Sequence, residues 1–528
     1  MAVAQDLITL KEASQWASNF LCRDINESNI SYLIQYGKVK KYGNDGSTLI
    51  KVNDLKNYYS VNGKREIDWK KKLGSDLNWS LSFDNLRESD TTKHVHRLHP
   101  YKGKFIPQLV EYFIDDHIDS FKKSVFFKKT DIILDPFAGS GTTLVQANEL
   151  GINSIGIDVS RFNCMIAETK LLDYDLVSLE NEAKNINQAI SNYESVENIS
   201  AFEKDLMLNL SSFNNSYFPS PEYKYKIFQK QIDENKFALE KEKEFLKIYN
   251  DLVKKYNVKL NNFSSKNFLD MWYIKNIREE INFAFDQVRK IKDIKNKKIF
   301  AVILSRTIRS CRATTHSDLA TLKEPQTTTY YCWKHKKICK PLFSIKGWFE
   351  RYAFDTLSRL NTFKRLKTDA FSLIIPADSR TIDLFKEVKK RNQKFSELFQ
   401  KNKIKGIFSS PPYVGQIDYH EQHAYAYDLF GFKRQDELEI GPLYKGQGLE
   451  AQKSYVDGIS NVLINCKKNL ANDFDIFLVA NDKYNLYPII AEKSGLKIVE
   501  QFKRPVLNRT ERDKSPYSEI IFHLKSHS

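Results

Sequence analysis

The stretch Asp135–Thr143, DPFAGSGTT, has the pattern of a strand that turns abruptly into a helix. It follows the apolar run IIL and precedes LVQANELG, so a buried strand, an abrupt turn of small residues and a helix are predicted. Such a turn lets backbone amides approach a bound ligand closely. No Gly-Lys-Ser/Thr triplet follows, which excludes a Walker A loop and argues against ATP.

The next strand, NSIGID, ends at Asp158, where a carboxylate can accept hydrogen bonds from both ribose hydroxyls of an adenosine ligand. Considered alone, the glycine-rich turn leaves several ligands open. It could serve NAD, a phosphate group or S-adenosylmethionine, or only allow close packing of a helix on the sheet.

A second motif, SSPPY at Ser409–Tyr413, follows the strand KIKGIF. Consecutive prolines hold the backbone extended and rigid at the strand end, direct carbonyl groups towards a pocket and place the Tyr413 ring beside it. A plain Pro-Pro turn is the alternative. Together with DPFAGSGTT, however, Pro-Pro-aromatic after a buried strand is a much more specific combination.

These two motifs resemble those of the amino-methyltransferases of DNA, which methylate exocyclic nitrogens of cytosine or adenine. The resemblance extends over most of residues 90 to 528 and includes HRLHPYKGKFIPQLVEYF and IIPADSR. It implies S-adenosylmethionine as the cofactor and double-stranded DNA as the substrate. The cofactor-binding residues that it implies are Lys104, Phe105, Ile106, Asp135, Pro136, Phe137, Gly139, Ser140, Gly141, Thr142, Asp158 and Asp378.

The resemblance also implies that the catalytic residues are Ser410, Pro411, Pro412 and Tyr413. A base in a duplex hides its amino group, so the nucleotide must flip out, and Tyr413 offers it a stacking face. In this family Ser at the first tetrapeptide position usually accompanies cytosine, which favours N4-methylcytosine, with N6-methyladenine as the alternative. A long insertion, described below, precedes the ADSR strand instead of following it, which leaves the subclass within the amino-methyltransferase family open.

The fold class predicted is α/β: a Rossmann-like methyltransferase sheet with a large, mostly helical insertion and a small N-terminal module. Residues 1–62 resemble a winged helix-turn-helix of the excisionase and MerR type, with Lys38, Lys40 and Lys41 available for phosphates; a dimerisation or docking cap is the alternative. The catalytic domain is placed at 85–175 and 366–528. Residues 176–365 are the predicted insertion with its target-recognition region.

Charge agrees with a polyanionic partner, since 82 Lys and Arg against 66 Asp and Glu give a net charge of +16 in 528 residues. No apolar run approaches the length of a membrane span and the N-terminus lacks a signal-peptide core, so a cytoplasmic protein is expected. Six cysteines in so long a chain indicate reduced thiols and no disulfide framework.

Within the insertion, basic residues stand beside Tyr330, Tyr331 and Trp333, which predicts a DNA-contacting surface; an exposed basic face without that role is the alternative. The predicted DNA-binding residues are Arg306, Arg309, Arg312, Lys334, Lys336 and Lys337. Two histidines and three cysteines share the segment: Cys311, His316, Cys332, His335 and Cys339. The Cys332-x2-His335-x3-Cys339 spacing could chelate zinc, but basic aromatic loops often contain chance cysteines, and no metal is predicted.

The residues just after the tetrapeptide, Asp418, His420, Glu421 and His423, are interpreted as a helix packed behind the catalytic loop, since the transferred amino group needs no strong base. The function predicted is a site-specific DNA methyltransferase of a restriction-modification or defence system, with a cognate restriction endonuclease as a further partner. Oligomeric state is left open. A DNA-binding regulator with a degenerate core is the rival, and the intact motifs argue against it.

Overall fold

The structure is a computed structural model that describes residues 7–21, 25–43, 48–62, 71–72, 77–83, 86, 88–101, 103–194, 199–260, 267–316, 324–341, 344–506 and 517–527. Residues 63–70 and 73–76, which follow the N-terminal module, and residues 507–516, near the C-terminus, lie outside these ranges. Within them, none of the helices combines the length and apolarity needed to cross a membrane.

The strands are β1 (Leu7–Thr9), β2 (Leu49–Lys51), β3 (Ile132–Asp135), β4 (Asn153–Asp158), β5 (Tyr330–Cys332), β6 (Lys337–Cys339), β7 (Ser372–Pro376), β8 (Ile404–Ser409), β9 (Leu470–Ala480), β10 (Leu496–Val506) and β11 (Tyr517–Ser526). The α-helices are α1 (Leu10–Leu21), α2 (Glu27–Gln35), α3 (Val52–Asn62), α4 (Glu88–Thr91), α5 (Pro107–Ile114), α6 (Thr142–Glu149), α7 (Arg161–Leu171), α8 (Leu176–Glu194), α9 (Ile199–Tyr217), α10 (Glu222–Phe228), α11 (Glu234–Lys255), α12 (Phe268–Trp272), α13 (Lys275–Lys290), α14 (Ile294–Ser310), α15 (Lys346–Lys364), α16 (Leu384–Arg391), α17 (Gln393–Lys401), α18 (Tyr419–Gln422), α19 (Ala424–Phe430), α20 (Leu449–Lys467) and α21 (Tyr487–Lys493).

Within the described residues, seven strands form the central sheet in the order β10-β11-β9-β8-β3-β4-β7. The five strands from β9 to β7 run parallel, and β11 is antiparallel to both of its neighbours. From β3 the chain passes to β4 and β7 on one side and then returns to β8 and β9 on the other. The carboxyl ends of β3 and β8 therefore meet where the strand order reverses, the usual ligand position in an open α/β sheet.

Alternate residues of β3 enter different apolar cores, as the two-residue period of a strand requires. Ile132 and Leu134 pack in the core that includes α16, α17, α20 and α21, whereas Ile133 packs with α5 on the opposite face. Because both faces of the sheet are covered, the strand is apolar throughout. A mixed α/β fold with a largely parallel central sheet, as the sequence predicted, is confirmed.

Between β4 and β7 the chain forms α8 to α15 and the antiparallel β5–β6 hairpin, here called the helical layer. These helices share one apolar core that reaches the helices beside the sheet through Phe162 and Tyr425. That the helical layer is a separate target-recognition insertion stays a prediction.

The N-terminal elements are α1 to α3 and the two-stranded β1–β2 sheet, with their own apolar core. Asn26 caps α2 by accepting from the backbone N–H of Asn29. These elements contact α10, where Lys224 Nζ donates to the Gln35 carbonyl oxygen at 2.9 Å. Lys38 lies over the Phe228 ring and Lys40 over Tyr42 and Tyr225. The docking interpretation predicts such contacts; the helix-turn-helix interpretation stays a prediction.

Candidate active site

A cleft of about 860 Å³ lies at the carboxyl ends of β3, β4 and β8. The predicted cofactor residues in its lining are Lys104, Phe105, Asp135, Pro136, Phe137, Gly139, Ser140, Thr142, Asp158 and Asp378. Ile106 is instead buried in the core under α5, and Gly141 begins α6 behind the turn.

Asp135 joins the two sequence motifs at the floor of the cleft. Its Oδ1 accepts a hydrogen bond from the Ser409 hydroxyl at 2.5 Å and from the backbone N–H of Phe137 at 3.1 Å. Burial raises the pKa of Asp135 to about 6, and these neutral donors offset the cost only in part. The side chain thus ties the glycine-rich turn to the strand that carries the tetrapeptide.

The glycines of the turn are required by backbone conformation and by close neighbours. Gly139 has φ +48°, and a Cβ there would lie 2.8 Å from the Tyr101 hydroxyl. Gly141 has φ +77°, and a Cβ would lie 2.7 Å from that of Ala167 on α7. Side chains at either position would strain the backbone and displace packed atoms. Glycine was predicted here so that a ligand could approach the backbone. The structure adds a second reason, because Tyr101 and α7 leave no room for a side chain.

Asp158, at the end of β4, holds the turn and faces the cleft. Its Oδ2 accepts from the Gly139 N–H at 2.9 Å, and its Oδ1 accepts from the Ser160 N–H at 2.8 Å. Asn163 Nδ2 donates to the same Oδ1 at 3.2 Å. Burial raises the pKa of Asp158. Each carboxylate oxygen can accept more than one hydrogen bond, so Oδ2 retains capacity for a ligand hydroxyl.

The tetrapeptide is divided between two cavities. Ser410 and Pro412 line the cleft, whereas Tyr413 lines a neighbouring cavity of about 460 Å³ with Asn481 and Tyr484. Pro411 is buried and contributes to neither lining. The Ser410 hydroxyl donates to the Val479 carbonyl oxygen at 3.2 Å, and the Tyr413 hydroxyl donates to Glu519 Oε1 at 3.0 Å. Because the Ser410 proton is engaged, its oxygen is left as an acceptor.

Asp378 lines the cleft as predicted, but its carboxylate is neutralised by a neighbour. The Arg380 guanidinium donates to both oxygens at 2.8 to 3.0 Å, and the Arg380 backbone N–H also donates to Oδ1. The carboxylate oxygens of Asp378 therefore have less remaining capacity to accept hydrogen bonds than those of Asp158.

The lining includes several residues that the sequence analysis did not assign: Tyr101, Ser160, Asn163, Tyr419, His420 and Glu439. Tyr101 follows directly on the HRLHP segment, and its ring stacks on Tyr419 with centroids 5.9 Å apart. The residues after the tetrapeptide were expected to pack behind the catalytic loop. Tyr419 and His420 instead line the cleft, because the short helix α18 places their side chains there. A tyrosine and a histidine so close to the tetrapeptide were the available signal.

Buried polar atoms without partners in the described part of the chain mark the cleft as a site for a polar ligand. They are Ser140 Oγ, Asn163 Oδ1 and His420 Nε2. Leaving such groups unpaired costs about 1–3 kcal/mol each, which a ligand with hydroxyl and amino groups can recover. These atoms therefore suit a ligand that carries several hydroxyl or amino groups, such as a nucleoside.

The predicted DNA-binding residues fall into two groups. Arg306 is 8% exposed, donates to Asp355 Oδ2 at 2.6 Å and lies over the Tyr352 ring. Arg312 is 2% exposed and lies over Tyr425, and Arg309, between them, is half-buried. Lys334 and Lys337 are exposed on the β5–β6 hairpin, where Lys336 pairs with Glu234. The structure thus presents the hairpin lysines to solvent and uses two of the arginines internally.

Comparison with known proteins agrees with this geometry. A family profile described as DNA methylase matches residues 5–169. The Type II methyltransferase M.MjaII of Methanocaldococcus jannaschii is 49% identical, over 99% of this chain and 97% of its own. The Type II methyltransferase M.BsoBI of Geobacillus stearothermophilus is 36% identical over 101 residues, 19% of this chain and 18% of its own.

Among solved structures, the rRNA methyltransferase AviRa of Streptomyces viridochromogenes covers 84% of this chain and 94% of its own at 9% identity. Its TM-score of 0.27 is too low to carry an inference. The full-length similarity to M.MjaII decides the class: this chain belongs to the DNA amino-methyltransferase family. It is a DNA methyltransferase of the type II kind, and S-adenosylmethionine is its methyl donor.

Proposed function

We propose that the enzyme transfers a methyl group to the exocyclic N4 of cytosine in duplex DNA. The observation that carries the proposal is Ser410, the first residue of the tetrapeptide, whose hydroxyl proton is donated to Val479. Its oxygen is then an acceptor for an amino hydrogen of the target base, and the Pro411 carbonyl is a second one. In this family Asp or Asn usually stands at this position where the target is adenine, and a neutral hydroxyl is a weaker acceptor than an Asp carboxylate.

The residues of the cleft bind and orient the two reactants. We assign the ribose of S-adenosylmethionine to Asp158, with Asn163 and Ser140 as further hydrogen-bonding partners. We assign the methionine end to Lys104 and Phe105, which also line the cleft. When bound, S-adenosylmethionine supplies an electrophilic methyl group on its sulfonium sulfur. The acceptors at Ser410 and Pro411 direct the amino nitrogen towards that group, and most of the rate then comes from positioning.

The target nucleotide must leave the duplex to reach this site, so the proposal includes base flipping. The Tyr413 ring lies beside the Ser410–Pro412 edge, with its hydroxyl held by Glu519. This hydrogen bond holds the hydroxyl end of the ring in place, and the aromatic face offers a stacking surface for the flipped base. The net charge of +16 and the exposed lysines of the hairpin favour the duplex as the partner.

We further propose that residues 1–62 contribute to DNA binding, with Lys41 exposed for phosphate contact. Recognition of one sequence would fit a restriction-modification system with a cognate endonuclease. Deleting residues 1–62 would weaken DNA binding in a gel-shift assay and leave cofactor binding unchanged. Undiminished DNA affinity would instead favour the docking interpretation, which the contact with α10 supports.

Product analysis tests the base assignment. Unmethylated DNA is incubated with the protein and S-adenosylmethionine, digested to nucleosides and analysed by mass spectrometry. The expected product is N4-methyldeoxycytidine. N6-methyldeoxyadenosine would overturn the base assignment while leaving the family intact, and no methylated nucleoside on any DNA would favour a regulator with a degenerate core.

A further inference from the structure

Four potential metal ligands converge at the β5–β6 hairpin, and none of them lines the cleft. They are His316, Cys332, His335 and Cys339, and one ligand atom from each lies within 4.8 Å of the other three. Cys332 and Cys339 end the two strands, His335 lies in the connecting turn, and His316 approaches from the chain that follows α14. No metal was predicted here, because basic aromatic loops often contain chance cysteines, although the Cys332-x2-His335-x3-Cys339 spacing could chelate zinc.

We propose that these four side chains bind one Zn²⁺ ion. The Cys332 sulfur lies 3.5 Å from His335 Nδ1 and 3.8 Å from His316 Nδ1, and the Cys339 sulfur lies 3.7 Å from His335 Nδ1. A tetrahedral ion with Zn–S near 2.3 Å and Zn–N near 2.0–2.1 Å places sulfur and nitrogen ligands about 3.5 Å apart. The observed separations therefore correspond to the edges of a zinc tetrahedron.

The charge and burial of the cluster also suit zinc. Cys332 and Cys339 are free thiols, 1% and 8% exposed. On binding, each thiol releases its proton to solvent and each imidazole contributes a nitrogen lone pair. One Zn²⁺ with two thiolates and two neutral imidazoles carries no net charge, so the ion can be buried without an unpaired charge. Cys311, the remaining cysteine of the segment, instead directs its thiol to the Ser344 carbonyl at 3.5 Å.

Neighbouring groups hold the ligands in place. The Tyr330 hydroxyl lies 2.7 Å from His316 Nδ1 and accepts from the His316 backbone N–H at 2.9 Å. The backbone hydrogen bond holds the His316 main chain beside the hairpin, whereas the Nδ1 contact involves the nitrogen that faces Cys332 and would give way to the ion. Asn214 on α9 pairs with both backbone groups of Ile338 at 3.0 Å. The ion would join the end of α14 to this anchored hairpin, which orients the exposed Lys334 and Lys337.

Metal analysis of the full-length chain, expressed without a histidine tag, tests the proposal. Mass spectrometry of metals is expected to find about one zinc per chain, because a structural site with four protein ligands holds one ion. Cys332→Ser and Cys339→Ser should each lower the content at least about fivefold. The matched control is Cys466→Ser, a buried thiol of the sheet core, which should keep its zinc. Loss of zinc from the control as well would contradict the assignment.

A cobalt titration keeps the proposal testable if the serine variants do not fold. Wild-type protein stripped with a chelator should take up about one Co²⁺ and develop the visible and thiolate-to-metal absorption bands of a tetrahedral thiolate site. Absence of both zinc and these bands would overturn the proposal. So would a chain two hydrogen masses lighter than the reduced form, because Cys332 and Cys339 would then form a disulfide. Neither measurement uses DNA, so neither outcome bears on the proposed methyl transfer.

Discussion

Buried charges are satisfied differently in the cleft and in the helical layer. In the cleft, Asp135 and Asp158 accept hydrogen bonds from hydroxyl, amide and backbone N–H donors, none of which is a cation. In the helical layer, Arg306 donates to Asp355, which also accepts from Arg359 at 2.9 Å. Burial acts to raise the pKa of Asp355, but the Arg306 hydrogen bond and charge lower it overall.

The difference separates groups available to a ligand from groups committed to the fold. A buried carboxylate that accepts only from neutral donors can still accept further hydrogen bonds. These donors offset the cost of its burial only in part, and hydrogen bonds from a polar ligand can reduce the remainder. The Arg306 guanidinium is paired with Asp355 and lies over the Tyr352 ring, so it makes its contacts inside the fold. We therefore expect substitutions at the cleft to change binding and pH dependence, and substitutions at the Arg306 pair to change stability.

The largest expected effect is at Asp355. Asp355→Ala leaves Arg306 buried without its carboxylate and should lower the free energy of unfolding by about 3–4 kcal/mol. Denaturant unfolding of the full chain measures it. The control is Asp286→Ala, whose 3.7 Å pair with Arg289 is well exposed and should be worth under about 0.5 kcal/mol. Equal effects at the two sites would show that the Arg306 pair is not structural.

Asp135 should make stability fall as pH rises. Its folded pKa is raised from 3.8 to about 6, so between these values the folded chain binds a proton that the unfolded chain has released. The stabilisation is present below pH 4 and lost by pH 6, at a cost of up to about 3 kcal/mol. Asp135→Asn removes this dependence, so the variant should gain stability relative to wild type between pH 4.5 and 7.5 in ligand-free unfolding measurements.

A difference between Asp135→Asn and wild type that does not vary with pH would contradict the raised pKa. Asp131→Asn is the matched control, because Asp131 lies just before the amino end of β3, away from the cleft, and is partly exposed. Its stability relative to wild type measures the effect of an Asp→Asn change outside the cleft.

Asp158 and Asp378 allow the same test within the cleft, because only Asp378 is paired with an arginine. Asp158→Ala should weaken S-adenosylmethionine binding about 100-fold, since a hydrogen bond to a charged acceptor is worth about 1.5–3 kcal/mol. Asp378→Ala should cost less than about tenfold, because Arg380 already occupies its oxygens. Calorimetric titration of both variants, with thermal melts to verify folding, decides the ranking. The reverse order would refute the idea that pairing removes a carboxylate from ligand binding.

The smallest effect is expected on the hairpin surface. If Lys334 and Lys337 contact phosphates, Lys→Gln at either should reduce the slope of log affinity against log salt by about 1. Lys336→Gln is the control, because its amine lies 2.5 Å from Glu234 and should change the slope less. Fluorescence anisotropy with duplex DNA at several salt concentrations measures all three. Three identical slopes would remove the hairpin from the DNA-binding surface.

The charged residues of α14 show where residue type is insufficient. Basic residues were expected on the surface, yet Arg306 follows the apolar run IFAVIL, all of which is buried. A helix that is apolar on all sides is enclosed by its neighbours, so a cation on it must find a partner inside. The apolar run was visible in the sequence. The partner was not, because Asp355 comes 49 residues later on another helix.

The sequence by itself determined the local units of the active site. A buried strand, a turn of small residues and a following helix depend on neighbouring residues only, and so do the extended prolines of the tetrapeptide. These units indicated the α/β class, the cofactor and the family.

Only the tertiary structure decided which distant units meet. Asp135 and Ser409 are 274 residues apart, and they touch because the strand order places β8 directly beside β3. In the same way, packing buries Arg306 against Asp355 and gathers His316 with the cysteines of the hairpin. Such contacts depend on how whole elements are ordered and packed, which the spacing of residues along the chain does not specify.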